Sequence, residues 1–330
     1  MIYELKDISN VTIIVAPPYK YESLLELRSL RRFCKELNAL LLNKEQFQFY
    51  IFWGTITEEN VLLNETADYS KEKSNVLFWI GDEEGYIPSD TVFSRFNYVF
   101  KVHLKNRDAI EIKNGINIFR PGLYHFPLLT IDDVPELSVL PFCERKYNIY
   151  FCGNLNKNRV PFYIALNKRA SLLARLDNFM LKHNLRGADR LYEYCFRNKS
   201  FDISSLYDNA YIRFYSGFNN GDDYNKYAYY LQNSKIVLSP KGFHSTECFR
   251  FYEAMRQGCI VITEPLPHVW CYKDAPCITI DSWKDLFSTL LDNAQISNNL
   301  SPAKIRKYYE ERLSIQGIAN YVGNILNYRH

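Results

Sequence analysis

A chain of 330 residues that is 47% apolar and 23% charged has the proportions of a globular protein, which excludes a disordered or collagen-like one. Its 40 Lys and Arg stand against 37 Asp and Glu, a net charge of +3 with no basic stripe, so nucleic acid is excluded as a partner. The length suggests two domains that need no disulfide staples, and the aromatic count is high, at 26 Tyr, 22 Phe and 4 Trp.

The opening MIYELKDISN lacks a basic stretch followed by an apolar core, and no run of 18 apolar residues follows anywhere. The expectation is a cytoplasmic chain, with peripheral contact at the inner membrane face left open. Residues 10–16 (NVTIIVA) read as a buried strand. From Tyr21 to Leu42 the period changes: Leu27, Leu30, Cys34, Leu37 and Leu41 line one helical face, and Arg28, Arg31, Arg32 and Lys35 the other. Further strands are predicted over 47–54, 75–81, 98–104 and 116–119. Strands alternating with helices imply a parallel α/β sheet.

The alternation lapses over 128–146, which reads as a linker. It restarts with a strand over 147–153 and a helix over Pro161–Leu185 with Leu166, Leu173, Leu176 and Met180 as its apolar stripe. Strands follow at 210–217, 235–240, 259–265 and 277–280, with helices over 223–234, Thr246–Gln257, 282–293 and Ala303–Leu326. Asp222 is expected to cap the helix at 223. The predicted division is 1–135, 136–302 and a closing helix within 303–330. Eight cysteines without a CxxC pair or a Cys/His ligand spacing read as free thiols, and no metal site is expected.

The segment from Lys235 to Thr263 carries the chemistry, in the order strand, loop, helix, Gly, strand. Gly242 offers a backbone donor without side-chain obstruction. Ser245 and Thr246 stand where a helix N-cap belongs, so unpaired NH groups and the positive end of the dipole would face an anion. Lys241 and Arg250 add cations and His244 a ring donor. Glu253 suits ribose hydroxyls, and Gly258 ends the helix. The combination is a nucleotide-diphosphate cradle. Equally, any βαβ unit has a polar loop, a capped helix and a terminal Gly, and neither a dinucleotide glycine fingerprint nor a P-loop is present.

This stretch, LSPKGFHSTECFRFYEAMRQGCIVI, resembles the signature of exostosin-like glycosyltransferases, and YNIYFCGNLNKNRVPFY (147–163) is similar to that family's Phe-x-Gly segment followed by Arg. Lys241 stands where the family has Arg, and Val261 follows Ile260 where Pro is usual. The resemblance implies a GT-B fold, two Rossmann-like domains with parallel sheets facing across a cleft. It also implies a nucleotide-sugar co-substrate, no further cofactor, and a glycan or lipid-linked saccharide acceptor. Gly153, Asn154 and Arg159 would then help position the donor, and the reaction would be inverting.

An inverting transfer needs a base on the acceptor side. Asp82, Glu83 and Glu84 follow a strand end, and neighbouring carboxylates raise one another's pKa. His125 and His103 are further candidates, and Tyr19 and Tyr21 are candidates for stacking on the acceptor. Two competing readings stay open at this stage: a nucleotide-sugar epimerase or hydrolase of the same fold, and a noncatalytic glycan-binding module.

Overall fold

The structure, a computed structural model, describes residues 2–4, 10–18, 27–69, 71–104, 111–113, 116–130, 133–217, 220–286 and 300–327. Tyr19 and Tyr21 lie outside the described residues, as do residues 21–26 of the first predicted helix and the rest of the helix at 282–293 beyond Leu286. The chain forms two α/β units. Met1–Asp132, Pro267–Ala275 and Glu310–His330 make one; Asp133–Leu266 and Pro276–Tyr309 make the other.

The first unit is built on strands β1 (Ile2–Glu4), β2 (Val11–Val15), β3 (Phe47–Trp53), β4 (Ser74–Trp79), β5 (Tyr98–Lys101) and β8 (Leu123–His125). They hydrogen-bond in that order, antiparallel between β1 and β2 and parallel from β2 onward. Near-continuous apolar runs are what a parallel sheet covered on both faces demands. Phe49, Phe52, Phe78, Trp79 and Phe100 are all buried, and Phe33 meets both Phe78 and Phe126 edge-on with ring centres 5.2 Å apart.

The strand expected at 116–119 does not join this sheet. β6 (Glu111–Lys113) and β7 (Ile116–Ile118) form a separate antiparallel hairpin, and β8 takes the sheet edge instead. Helix α1 (Leu27–Leu40) buries Leu30, Phe33, Cys34 and Leu37 and exposes Arg28, Arg31, Arg32 and Lys35. Two short helices, α2 (Glu59–Glu65) and α3 (Asp90–Arg95), complete the crossovers of this unit.

The second unit carries β9 (Tyr147–Asn154), β10 (Phe201–Asp202), β11 (Ala210–Tyr215), β12 (Ser234–Ser239), β13 (Ile260–Thr263) and β14 (Ile278–Thr279). Their spatial order is β10-β11-β9-β12-β13-β14, parallel except at β10. The α/β class with two Rossmann-like sheets thus agrees with the expectation. In this sheet β11 lies on one side of β9 and β12 on the other. The strand order therefore reverses between β9 and β12, and the crevice beyond the carboxyl ends at such a reversal is where open α/β sheets bind ligands.

Residues 133–146, expected as a linker, are instead packed into this unit. Arg145 is buried and donates to the carbonyls of Leu140, Ser234 and Gln257, and Arg256 donates to Val134 O. The single helix expected over Pro161–Leu185 is two: α4 (Val160–Leu166) and α5 (Leu172–Lys182), followed by α6 (Ala188–Cys195). Ser171 caps α5 by accepting from Ala174 N at 3.2 Å. The apolar stripe of α5 is also reversed: Leu173 and Leu176 are exposed, and Ala174 and Leu181 turn into the core.

Helix α7 (Tyr224–Gln232) lays Tyr227 and Tyr230 against Tyr150 and Tyr211, with Tyr211 and Tyr230 stacked at 3.8 Å. Its cap is Asp223, which accepts from Lys226 N at 3.0 Å, not Asp222. Asp222 accepts from the hydroxyls of Tyr211 (2.7 Å) and Tyr215 (3.4 Å) and pairs with Lys226. After α8 (Phe249–Arg256) the closing helix is broken into α9 (Pro302–Arg312) and α10 (Ile315–Asn327). Ser314 makes the break by accepting from Gly317 N. Helix α10 packs on α1 in the first unit, where Asn327 Nδ2 donates to Leu40 O.

Candidate functional site

The reversal between β9 and β12 brings together most of the residues singled out in the second half of the chain. β9 ends at Gly153 and Asn154. A Cβ on Gly153 would lie 2.4 Å from Arg250 Nη2, so only glycine leaves room for that guanidinium. Arg250 reaches across from α8, donates to Cys152 O at 2.6 Å and stacks 4.7 Å over the Phe151 ring. Its Nε is buried without a hydrogen-bond partner among the described residues, which leaves donor capacity in the cation.

The loop after β12 forms the other wall. Arg159 donates from Nε to Lys241 O (3.0 Å) and from Nη1 to both Asn154 O and its side-chain oxygen, which ties the end of β9 to this loop. Buried and committed in this way, Arg159 positions the loop and does not project from it. Asn158 Nδ2 donates to Phe243 O, and Lys241 N donates to Glu264 Oε2 at 2.6 Å. His244 is exposed, with Lys241, Gly242, Ser245 and Thr246 half-buried beside it.

Ser245 and Thr246 do not cap the helix. α8 begins at Phe249 with Cys248 at its cap position and no side-chain cap. Ser245 Oγ accepts from Glu247 N and Thr246 Oγ1 donates to Pro265 O, so both hydroxyls shape the loop upstream of the helix. Gly258 closes α8 as expected, at φ +65°, with its N–H on Met255 O and the next N–H on Ala254 O.

Glu253 is 3% exposed and accepts from Tyr227 Oη at 2.6 Å. Burial pushes its pKa up, against the lowering pull of the Tyr227 hydroxyl and of Arg256 and Arg250. The bond occupies Oε2 and leaves Oε1 with no hydrogen-bond partner among the described residues. The link was not evident in the sequence, although Tyr227 falls in the predicted helix at 223–234.

The base candidates belong to the first unit, and two of them are placed against that role. Asp82 and Lys101 form an ion pair at 2.5 Å with both side chains fully buried. Asp82 Oδ1 also accepts from Glu84 N. His125 is buried, with Nδ1 3.7 Å from Cys271 Sγ and its ring edge-on to Tyr272. His103 is buried at φ +59°. Glu83 is exposed and Glu84 half-buried.

The same unit holds a cavity of about 510 Å³ lined by Tyr124, Trp270, Glu311, Asn320, Tyr321 and Asn324. Trp270 and Tyr321 stack at 4.3 Å, and Arg312 lies 5.0 Å from the Trp270 ring centre. Among the described residues, no group of three or more His, Cys, Asp or Glu could hold a metal ion, and no helix is long and apolar enough to cross a membrane.

Residues 215–310 match the family model of the RXYLT1 C-terminal domain. The match spans the loop after β12 and all of α8, and leaves out Gly153, Asn154 and Arg159. In chain course the protein is similar to the OtsA apo structure, with a TM-score of 0.37 and 10% identity over 91% of this chain and 76% of that one. It is also similar to AviGT4, a glycosyltransferase involved in avilamycin A biosynthesis, with a TM-score of 0.28 and 10% identity over 84% of this chain and 90% of that one. No curated protein matches the chain in sequence.

Proposed function

We propose that the chain is a GT-B glycosyltransferase, which moves a sugar from a nucleotide-diphosphate sugar to a glycan or lipid-linked saccharide, with inversion and without a resident metal. The observation that carries this reading is the meeting of Gly153, Asn154, the 241–246 loop and Arg250 at the strand-order reversal of the second unit. The RXYLT1 match, to the domain of an exostosin-like xylosyltransferase, falls on that loop and helix and supports it.

In this reading the donor diphosphate lies along the 241–246 loop. Lys241 and the spare donor capacity of Arg250 neutralise the charge that develops as nucleoside diphosphate departs. A ribose hydroxyl donates to the Glu253 oxygen that Tyr227 leaves open. Glu83 and Glu84 are the acidic side chains of the expected triplet left to serve as acceptor base. The cavity in the first unit offers an aromatic wall for a pyranose face and amides for its hydroxyls, which suits the acceptor saccharide.

A thermal-shift screen of UDP-, GDP- and CMP-sugars tests the reading, since any ligand of the native state raises the melting temperature with occupancy. One nucleotide class should stabilise the protein, and Arg250→Ala should abolish that shift. The proposal fails if no nucleotide sugar shifts the transition. Asn324→Ala should then raise the KM for acceptor and leave donor affinity unchanged.

A further inference from the structure

Helix α5 is oriented against the usual rule. Its inward face is Ala174, Asp177 and Leu181; its outward face is Leu172, Leu176 and Phe179, at positions i, i+4 and i+7. Leu172 is 82% exposed, Phe179 53% and Leu176 46%. Leu173 and Leu185 extend the same exposed ridge. An amphipathic helix that buries its small and acidic side and shows its leucines to solvent has a second apolar phase to meet.

The charges near the ridge in sequence specify that phase. Lys168, Arg169, Arg175, Lys182, Arg186 and Arg190 are all exposed in the stretch 168–190, against two acids: Asp177, which is buried, and Asp189, which is exposed and paired with Lys157. This stretch therefore carries more positive charge than the +3 of the whole chain. Arg175 is held by the carbonyls of Ala170 and Lys168, at the flank of the ridge. A second copy of the chain would bring the same cations face to face across a two-fold axis, which disfavours self-association through this surface.

We propose that α5 docks on an anionic lipid bilayer, lying in the interface with Leu172, Leu176 and Phe179 inserted and the exposed Lys and Arg on the headgroups. The proposal does not depend on the donor-site reading, because none of these residues touches that crevice.

The test is flotation of the full chain with vesicles of phosphatidylcholine alone and of phosphatidylcholine with phosphatidylglycerol, at low and high salt. The chain should float with the anionic vesicles only, and less so as salt rises. The triple variant Leu172→Ser, Leu176→Ser, Phe179→Ser should lower partitioning more than about tenfold. Lys182→Glu with Arg186→Glu should remove the preference for phosphatidylglycerol. These side chains are exposed, so the melting temperature should hold; if the serine variant melts early, the charge variant decides alone. Absence of flotation, equal flotation with both vesicles, or a serine variant that floats like the parent overturns the proposal. A fall in light-scattering mass on the serine substitutions, without vesicle binding, assigns the ridge to a protein contact instead.

Discussion

Gly153 and Arg250 compete for one volume: the space where a Cβ on residue 153 would project is filled by Nη2 of Arg250. Gly153→Ala should therefore displace the guanidinium from Cys152 O and Phe151. The arginine end can swing away, so the loss of stability should stay at about 2 kcal/mol, the net worth of one hydrogen bond from a charged donor. Nucleotide affinity should fall about tenfold or more, as measured by calorimetry. Unchanged affinity would place the diphosphate elsewhere.

The Tyr227–Glu253 bond makes a prediction about pH. Burial raises the Glu253 pKa in the folded state, so ionising it costs stability. The cost is absent below the ordinary glutamate range and grows as pH rises through that range and the raised folded value. Glu253→Gln should therefore be better tolerated at pH 8 than at pH 4 when melting temperatures are compared. Tyr227→Phe should do the opposite, since it strips the ionised carboxylate of its donor.

The buried Asp82–Lys101 pair should behave as a structural unit. Lys101→Met alone leaves an uncompensated carboxylate in the core and should cost about 3–5 kcal/mol in denaturant unfolding. Adding Asp82→Asn should recover much of that loss. Under the proposed function a folded double variant should keep its transfer activity, and loss of activity in a variant that melts like the parent would overturn the structural reading of Asp82.

Asp177 is buried in α5 with neither carboxylate oxygen hydrogen-bonded among the described residues, and burial pushes its pKa up to about 6. Because the folded value is raised, the group destabilises the protein above pH 6 and ceases to do so as pH falls toward the ordinary aspartate range. Asp177→Asn should stabilise the chain at pH 8 and do little at pH 4. A pH-independent difference in melting temperature would rule out the titration of Asp177 as its source.

Long apolar runs made the central strands legible. Phe47–Trp53 is buried along most of its length in a parallel sheet and apolar but for Gln48, and Tyr147–Asn154 has a buried apolar centre at Tyr150–Cys152. The edges were not legible: Ile2–Glu4, Leu123–His125 and Phe201–Asp202 are too short to show a period. Periodicity in α5 grouped Leu173 with Leu176 but could not say which side of the helix the sheet would take. Cap assignments failed where two hydroxyls or two acids adjoin. Asp223 caps while Asp222 turns to the tyrosines, and Ser245 and Thr246 bind the loop rather than α8. The grouping of Gly153, Arg159, Lys241 and Arg250 was accessible because Gly153 lies at the end of β9, Arg159 and Lys241 follow the ends of β9 and β12, and Arg250 lies in the first turn of the helix after β12. The Tyr227 contact to Glu253 depends on how α7 packs beside α8, and no local pattern encodes that.

The return of α10 to α1 has a consequence for biosynthesis. Leu40 and Asn327, which hydrogen-bond, are 287 positions apart. As the chain leaves the ribosome, the second unit has nearly all its strands available while the first still lacks its covering helix. Leu30, Phe33 and Leu37 are made early, yet the core they belong to is completed only once α10 has followed. Nascent chains stalled before residue 315 should therefore present a sticky N-terminal half to chaperones, and synthesis of Ile315–Asn327 should end that exposure.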